Sequence, residues 1–336
     1  MDRRRAFLTR SGLRGSALKR TAAGLLFVLA ACAGAPQPDA PLTRDSLRVL
    51  RWIAPGADRV RAMTTQPVAC RAKDEEMVVI TRAENGIQRD GWSVIDVGRI
   101  AFESPALLGG AAARMGLSCS SCHLNGRDNP DFFVEGVSAA PGTADVTNSL
   151  FSKTRGNGAF DPKPIPDIAA RDGKQIKDRT SAEFRTKVHG LIAEEFDGQA
   201  PSPAMLGAVI AYMDGMVPCP DPTLREPLTA QMDIDAARKA FRIAQDDAPG
   251  ADQRLMARAA RERLERLNER FIAASQVDVR AALLDTSQQI ATWIDAPDAA
   301  NAARVEAALT LAETRVTREA SRSLYAPEIL RAALGE

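Results

Sequence analysis

Two cysteines and a histidine form the most chemically informative stretch of the sequence, Cys119-Ser120-Ser121-Cys122-His123. Two thiols separated by two residues can add to the two vinyl groups of one porphyrin, and the next side chain then lies under the iron. His123 would supply the nitrogen ligand on one face of that iron, which leaves the opposite face to a second ligand or to a substrate. The stretch therefore predicts covalent attachment of one c-type haem through Cys119 and Cys122.

A redox-active dithiol and half of a zinc site are the two alternatives for these cysteines. A thioredoxin-like dithiol requires a strand-to-helix setting, and a zinc site requires two further ligands close in space. Only four other residues could supply such ligands, and none of them forms a pair in the sequence: His189, Cys32, Cys70 and Cys219. Haem attachment is therefore the preferred interpretation.

The second iron ligand stays open between three possibilities. The chain has two histidines, so a second nitrogen ligand can only be His189. Met205 is the nearest thioether, although a methionine at that position also suits helix packing. An open iron would instead indicate an enzyme, which needs a distal acid or base such as Glu194 or Glu195 to handle the protons of peroxide. We rank His189 first, Met205 second and an open site third.

The first part of the chain has the composition of an export signal, a basic region followed by a short apolar run over 22–31. A Leu-Ala-Ala triplet directly before Cys32 resembles a bacterial lipoprotein signal, in which the cysteine is acylated and becomes the mature N-terminus. Residues 1–31 are therefore predicted to be a signal peptide, and 32–43 a Pro-rich tether. Ala33 favours the outer membrane, on its periplasmic side. An arginine pair near the start leaves the general secretory and twin-arginine routes both open.

Composition bears on several classes of protein. Among 336 residues, 44 Lys and Arg nearly balance 43 Asp and Glu, and this formal net charge of +1 gives no indication of nucleic-acid binding. Aromatic residues make up only 5% and alanine is abundant, which favours close-packed helices over sheets. After the leader, no stretch is long and apolar enough to predict a membrane-spanning helix.

Cys70 and Cys219 remain once lipid and haem have taken the other three cysteines. In an oxidising periplasm two leftover thiols are more often paired than free. Cys70 precedes the first helix of the region around the haem motif, and Cys219 follows its last helix. We predict a disulfide between them that joins the two ends of this region.

Two apolar helices bracket the cysteine–histidine motif and are expected to hold it. The first is predicted from four residues at helical spacing: Trp92, Ile95, Gly98 and Phe102. The second begins at Ser202-Pro203, a cap residue followed by proline at the first helical position. Its apolar face is formed by five residues: Leu206, Val209, Ile210, Met213 and Met216. Such a helix pair, which Gly98 allows to approach closely, predicts a class I cytochrome c fold over 91–220.

The chain after Cys219 has long helical periodicity. Apolar residues recur in three runs: Ile234, Ala237, Phe241 and Ala244; Ala260, Leu264, Leu267, Phe271 and Ala274; Val305, Leu309, Ala312 and Val316. With proline-containing turns at 248–250 and 296–298, this pattern predicts an antiparallel bundle of about four helices over 221–336. Charges over 261–266 alternate in sign and are interpreted as a solvated helix face with (i, i+4) pairs.

The predicted fold class is all-α throughout. Residues 44–90 form an N-terminal extension, with a short helix around Leu47, Leu50 and Ile53 and then irregular chain. No chemistry is expected in this extension.

The haem region resembles a known family. The run Gly98-Arg99-Ile100-Ala101-Phe102, followed by Ser118 and the CxxCH motif, is similar to the N-terminal haem module of bacterial di-haem cytochrome c peroxidases. In that family a Gly-Arg-x-x-Phe helix leads to a Ser-Cys-x-x-Cys-His loop, and the segment 141–151 more loosely resembles the family's downstream Asn- and Pro-rich loop. The likeness covers about residues 92–216. The family has two CxxCH motifs and this chain has one, so a two-haem electron relay is not implied.

These features favour a lipid-anchored periplasmic cytochrome that exchanges electrons with a periplasmic redox protein. Such a carrier requires six-coordinate iron. A mono-haem peroxidase or oxidase with an open distal site is the alternative. A third class, in which the C-terminal bundle binds a partner and the haem acts as a sensor, has no feature of the sequence in its favour.

Overall fold

The computed structural model describes eight ranges of the chain: 51–71, 79–80, 83–84, 87–88, 92–170, 176–221, 223–246 and 250–336. The predicted signal peptide, Cys32, the tether and residues 44–50 of the extension lie outside these ranges. Within them the protein is mostly helical with a few short strands, and all of them belong to one compact unit. None of the helices in these ranges combines the length and the apolar character that a membrane span requires.

Short elements come first in the chain. They are α1 (Arg59–Thr64), β1 (Thr65–Pro67), β2 (Val79–Ile80), β3 (Ala83–Glu84), β4 (Ile87–Gln88) and β5 (Trp92–Ser93). Strand β2 pairs with β5 and β3 with β4, both antiparallel. Backbone pairing thus replaces part of the irregular chain that the sequence predicts for this extension.

The middle of the chain contains eight further elements. They are α2 (Val94–Glu103), α3 (Pro105–Leu108), α4 (Gly110–Arg114), α5 (Cys119–Cys122), β6 (Thr143–Ala144), β7 (Lys163–Pro164), α6 (Ala182–Gly190) and α7 (Pro203–Asp214). Helix α2 begins one residue after Ser93, whose hydroxyl accepts a hydrogen bond from the Asp96 amide at 3.0 Å. Trp92, predicted to lie on that helix, is therefore in β5 instead. Helix α7 begins where the sequence predicts, because Ser202 Oγ accepts from the Met205 amide at 3.0 Å.

Helices α2 and α7 pack directly on each other. Gly98 lies against the backbone of Ala208 and the side chain of Tyr212, and a Cβ at position 98 would overlap the Ala208 carbonyl. Phe102 and Tyr212 stack beside this crossing with ring centroids 5.2 Å apart. The close approach predicted from Gly98 is thus confirmed.

The last part of the chain contains β8 (Arg225–Pro227), α8 (Ala230–Asp246), α9 (Ala251–Asn268), α10 (Val277–Asp295), α11 (Ala299–Glu319) and α12 (Pro327–Leu334). Helices α8 to α11 each pack on the next, and α11 returns to α8. Buried alanines let these helices approach closely, and Phe241 meets Trp293 edge-on at 5.1 Å in the interior. Four long helices therefore form the bundle that periodicity predicts, while Phe271 and Ala274 lie beyond the end of α9.

The N-terminal extension closes onto the other end of the chain. Strand β1 pairs antiparallel with β8, and α1 packs on α12. Their shared apolar cluster contains five buried residues: Val60, Met63, Leu324, Leu330 and Leu334. The extension is therefore part of the folded body.

Helix α9 packs on both α2 and α3, and one apolar core continues across the boundary predicted near residue 220. This packing changes the role of the charges over 261–266. Arg261 and Glu265 form the expected (i, i+4) pair at 3.9 Å. Arg263, however, turns inward to Glu103 and to Asp233, the latter at 3.1 Å. The prediction of a uniformly solvated face is wrong here, because helix periodicity does not reveal that α2 covers this side of α9.

Candidate functional site

Helix α5 is a single turn that carries both cysteines of the motif. The Ser118 amide donates to Ser121 Oγ at 3.0 Å where the turn begins, and the His123 amide donates to the Cys119 carbonyl at 2.8 Å where it ends. One helical turn thus places the two thiols three residues apart and delivers His123 immediately after them.

Cys119 and Cys122 are free thiols, half-buried, and both pack on an apolar cluster that includes Leu117, Phe132 and Phe151. Burial raises the pKa of Cys119 to about 12 and, together with the neighbouring thiol, that of Cys122 to about 12. Both are therefore protonated at neutral pH. A nucleophilic cysteine of the redox-active dithiol class has a lowered pKa, so this environment does not favour that alternative.

His123 is oriented by a distant backbone carbonyl. Its Nδ1 lies 3.1 Å from the Pro166 oxygen, and because a carbonyl only accepts, Nδ1 carries the hydrogen. Burial lowers the pKa of His123 to about 4, although the Pro166 carbonyl favours the charged form. The ring is consequently neutral at neutral pH, and Nε2 is the nitrogen that carries no hydrogen and could bind a metal. A histidine ligand that donates its other ring hydrogen to a carbonyl is the usual arrangement at metal sites.

The loop after His123, a 3₁₀ turn over Leu124–Gly126, is held at each of its last two residues. Asn125 has a left-handed backbone, φ 54°, and its Nδ2 donates to the Pro67 carbonyl. Gly126, φ 77°, lies against the Met216 thioether, and a Cβ at position 126 would overlap that side chain unless it moved. The Gly126 carbonyl also accepts from the Ala169 amide at 3.1 Å.

Arg127 follows this loop and is buried. Its Nε lies 4.0 Å from Oδ2 of Asp167, the residue after Pro166. A guanidinium binds carboxylates strongly. Arg127 is thus the cation in this part of the site whose chemistry suits the propionate groups of a porphyrin.

Cys70 and Cys219 are joined as a disulfide, with their Cα atoms 5.2 Å apart. The Val217 amide donates to the Cys70 carbonyl at 3.1 Å, and Arg71 forms a β-bridge with Met216. The disulfide therefore lies beside Met216 and close in sequence to Pro67, whose carbonyl accepts from Asn125. The pairing is the one expected from the sequence.

The two candidate distal ligands come from neighbouring elements. His189 lies in the last turn of α6 and is half-buried, and Met205 lies in the first turn of α7, only 2% exposed. Helices α6 and α7 pack on each other. Met205 belongs to the apolar core, as expected of a packing residue. None of the hydrogen bonds and ion pairs in the described part of the chain joins His189 to α5.

The two candidate distal carboxylates differ in their surroundings. Both lie in a π-helical turn, Leu191–Glu195, directly after α6. Glu194 forms an exposed ion pair with Arg155 at 2.5 Å. Glu195 Oε2 is buried, with no hydrogen-bond partner among the described residues. Burial raises the pKa of Glu195, and Arg155 only partly opposes this effect.

Sequence reasoning missed the roles of four residues of the site: Pro166, Asn125, Arg127 and Met216. Pro166 is 43 residues from His123, and no local pattern indicates such a contact. The Asn125-Gly126 dipeptide is a recognised turn signal that could have indicated the left-handed loop. Met216 was predicted only as part of an apolar helix face, and it lies just beyond the end of α7.

Comparison with protein-family models, with curated proteins and with solved structures gave no match. Within the described ranges, no group of three or more His, Cys, Asp or Glu side chains is arranged to hold a metal ion. The zinc alternative for Cys119 and Cys122 therefore gains no support from these residues.

Proposed function

We propose that this protein is a c-type cytochrome that binds one haem through Cys119 and Cys122 and transfers electrons. The observation that carries the proposal is geometric: two thiols lie on one helical turn, and His123, directly after them, has its Nδ1 held by the Pro166 carbonyl. These residues fit a c-type haem, since the porphyrin supplies four nitrogens and the protein only the axial ligands.

Packing around the motif supports a cytochrome c-like module over 92–216. Helices α2 and α7 bracket the motif in the sequence and cross at Gly98. This is the arrangement that the resemblance to one haem module of the di-haem cytochrome c peroxidases implies. The sequence further supports acylation of Cys32, a location on the periplasmic side of the outer membrane, and a periplasmic redox protein as partner.

When bound, the haem supplies an iron that changes between its ferrous and ferric states. His123 would bind the iron through Nε2, and the Pro166 carbonyl increases the basicity of the ring by accepting from Nδ1. The apolar cluster around Cys119 and Cys122 excludes water from one side of the site. Exclusion of water matters because burial and local polarity set the reduction potential. Arg127 would neutralise the charge of a propionate group.

A peroxidase with an open distal site is the second candidate, and one observation favours it. Glu195 is a carboxylate with a raised pKa and a buried, unpartnered oxygen among the described residues. A raised pKa shifts a carboxyl group in the direction that a distal acid–base requires. Its place in a π-helical turn is also common for functional residues.

Covalent haem retention tests the proposal. The full chain is produced in a host that attaches c-type haem, then denatured and extracted with solvent. Wild-type protein should retain its haem, because thioether bonds do not depend on the fold. Cys119→Ala with Cys122→Ala should lose all of it, and the matched control, Cys70→Ala with Cys219→Ala, should keep it. Haem that is extractable from wild-type protein, or retained by the first variant, would refute the attachment.

Ferric absorption spectra then separate the carrier from the enzyme. A low-spin spectrum that becomes high-spin in His189→Ala identifies His189 as the second ligand, and the volume-conserving Met205→Leu tests the thioether in the same way. A wild-type spectrum that is already high-spin favours the peroxidase. In that case Glu195→Gln should slow the reaction with peroxide, whereas Glu194→Gln, at the exposed pair, should leave it unchanged.

A further inference from the structure

Two chain segments that are far from His123 in sequence hold the loop that follows it. Asn125 donates to the carbonyl of Pro67 in the first segment, 67–71. Gly126 packs against the thioether of Met216 in the second segment, 216–219. The first contact uses the side-chain amide of Asn125, and at position 126 the positive φ of 77° favours glycine, where a Cβ would also overlap the Met216 thioether.

The two segments are themselves tied together. Arg71 and Met216 form a β-bridge, the Val217 amide donates to the Cys70 carbonyl, and the Cys70–Cys219 disulfide closes the pair. Neither segment can move away from the loop without carrying the other, because a covalent bond and two backbone contacts join them.

The loop in turn is coupled to the imidazole. The Gly126 amide donates to the His123 carbonyl at 2.9 Å, and the Gly126 carbonyl accepts from Ala169 at 3.1 Å. Ala169 is three residues from Pro166, whose carbonyl holds His123 Nδ1. A displacement of Gly126 therefore acts on both the backbone of His123 and the segment that orients its ring.

We propose that segments 67–71 and 216–219, joined by the disulfide, form a clamp in which Asn125 and Met216 are positioning residues for His123. The effect on iron rests on the proposed function, whereas the mechanical coupling is a property of the chain alone. The disulfide accordingly orients a ligand in addition to stabilising the fold.

Asn125→Asp is the sharpest variant for the first test. Aspartate is nearly isosteric and tolerates the left-handed backbone, but it cannot donate to the Pro67 carbonyl. Asn148→Asp is the matched control, because Asn148 Nδ2 also donates to a backbone carbonyl, that of Gly136, at 2.9 Å and away from the clamp. Amide hydrogen exchange is measured on the full-length holoprotein.

In Asn125→Asp, the Gly126 and Ala169 amides should exchange about tenfold faster than in wild type, as loss of one partly buried hydrogen bond implies. The control should leave both rates unchanged. Equal rates in wild type and Asn125→Asp would overturn the clamp. Amide exchange measures the coupling even in protein without haem. A failure of haem attachment would therefore refute the proposed function, whereas the exchange rates would still decide whether the clamp exists.

The iron provides a second readout. In the holoprotein, Asn125→Asp should shift the midpoint potential and the ferric electron paramagnetic resonance g values, and Asn148→Asp should shift neither. A merely structural role would leave both signals unchanged in folded protein. Faster exchange with unaltered potential and g values would therefore refute the positioning role.

Removal of the disulfide gives an independent test. In Cys70→Ser with Cys219→Ser, exchange should accelerate by a larger factor at 123–127 and 166–169 than in α10, whose core amides report only the global loss of stability. An equal factor in α10 and in these two segments would mean that the disulfide acts only on global stability and would overturn the proposal. Should this variant fail to fold, Asn125→Asp still decides the question.

Discussion

The helical bundle and the region around the CxxCH motif are built by opposite means. Helices α8 to α11 are 17 to 21 residues long, and their buried positions follow helical spacing. Around the motif, α5 is a single turn, and His123 is placed by a contact 43 residues away. In the bundle, the position of each side chain follows from local periodicity. At the candidate site, the positions of side chains depend on single long-range contacts, so the loss of one contact has a local and specific effect.

The seam between the two regions, where α9 packs on α2 and α3, offers the strongest test of this comparison. Arg263→Ala leaves the buried carboxylate of Asp233 and the half-buried carboxylate of Glu103 without their shared cation. We expect the free energy of unfolding to fall by about 3–5 kcal/mol, measured by urea denaturation. Arg261→Ala, two residues away on the half-exposed side, should cost about 0.5 kcal/mol. Similar losses in both variants would mean that α2 does not cover α9 as described.

The disulfide variant has the second-largest expected loss of unfolding free energy and tests the long-range contacts directly. Cys70→Ser with Cys219→Ser opens a loop of 149 residues, and we expect it to lower the free energy of unfolding by about 2–4 kcal/mol. The check is denaturation of variant and wild type under non-reducing conditions. Equal midpoints for the two proteins would show that the chain is held equally well without this covalent contact.

Glu262 makes the seam sensitive to pH. Burial raises its pKa to about 7, although a hydrogen bond from Ser104, at 2.5 Å, and the nearby Arg266 oppose this, while Glu265 adds to it. Between pH 4.5, the ordinary carboxyl pKa, and about 7, the folded state retains a proton that the unfolded state has lost. The contribution of Glu262 to stability therefore decreases as pH rises through this window.

Glu262→Gln removes that dependence. Relative to wild type, its free energy of unfolding should be similar near pH 4.5 and higher by roughly 1–3 kcal/mol near pH 8, measured by denaturation across the range. Glu265→Gln, at a carboxylate 56% exposed, is the control and should show no comparable change with pH. A constant difference across the range would mean that Glu262 titrates normally.

The smallest expected effect is at the start of α7. Ser202→Ala removes the hydroxyl that accepts from the Met205 amide and should cost about 1 kcal/mol. Thermal or urea unfolding measures this loss, and Ser202→Asn, another good cap, should recover most of it. An effect of several kcal/mol would mean that the contact of Ser202 with Asp252, at 2.5 Å, matters more than the cap.

The sequence predicts the regular parts of this fold well, for physical reasons. The cap at Ser202, the close approach at Gly98 and the buried positions Phe241, Leu264 and Leu309 all follow from patterns within a few residues. The chemistry of α5 is likewise local, since residue spacing alone indicates two thiols and a ring nitrogen.

Long-range contacts could not be predicted in the same way. Every residue type has a backbone carbonyl, so nothing in the side chain of Pro166 distinguishes this residue as the partner of His123. The inward turn of Arg263 depends on α2, whose packing on α9 no repeat in either helix reveals. The Cys70–Cys219 pairing was accessible because elimination left only those two thiols. The distal side, with His189, Met205 and Glu195, stays a prediction.

Closure of the early part of the chain onto the late part has a consequence for biogenesis. Strand β1 pairs with β8 and helix α1 packs on α12, both more than 150 residues later in the chain. A chain that emerges from its N-terminal end therefore presents the thiols of Cys119 and Cys122 before these partners have arrived. Folds dominated by such non-local pairings close slowly. Under the proposed function, we expect haem attachment at the two thiols to precede the pairing of β1 and α1 with the late part of the chain. The interval between emergence and folding, rather than access to the folded structure, would then limit the fraction of chains that carry haem.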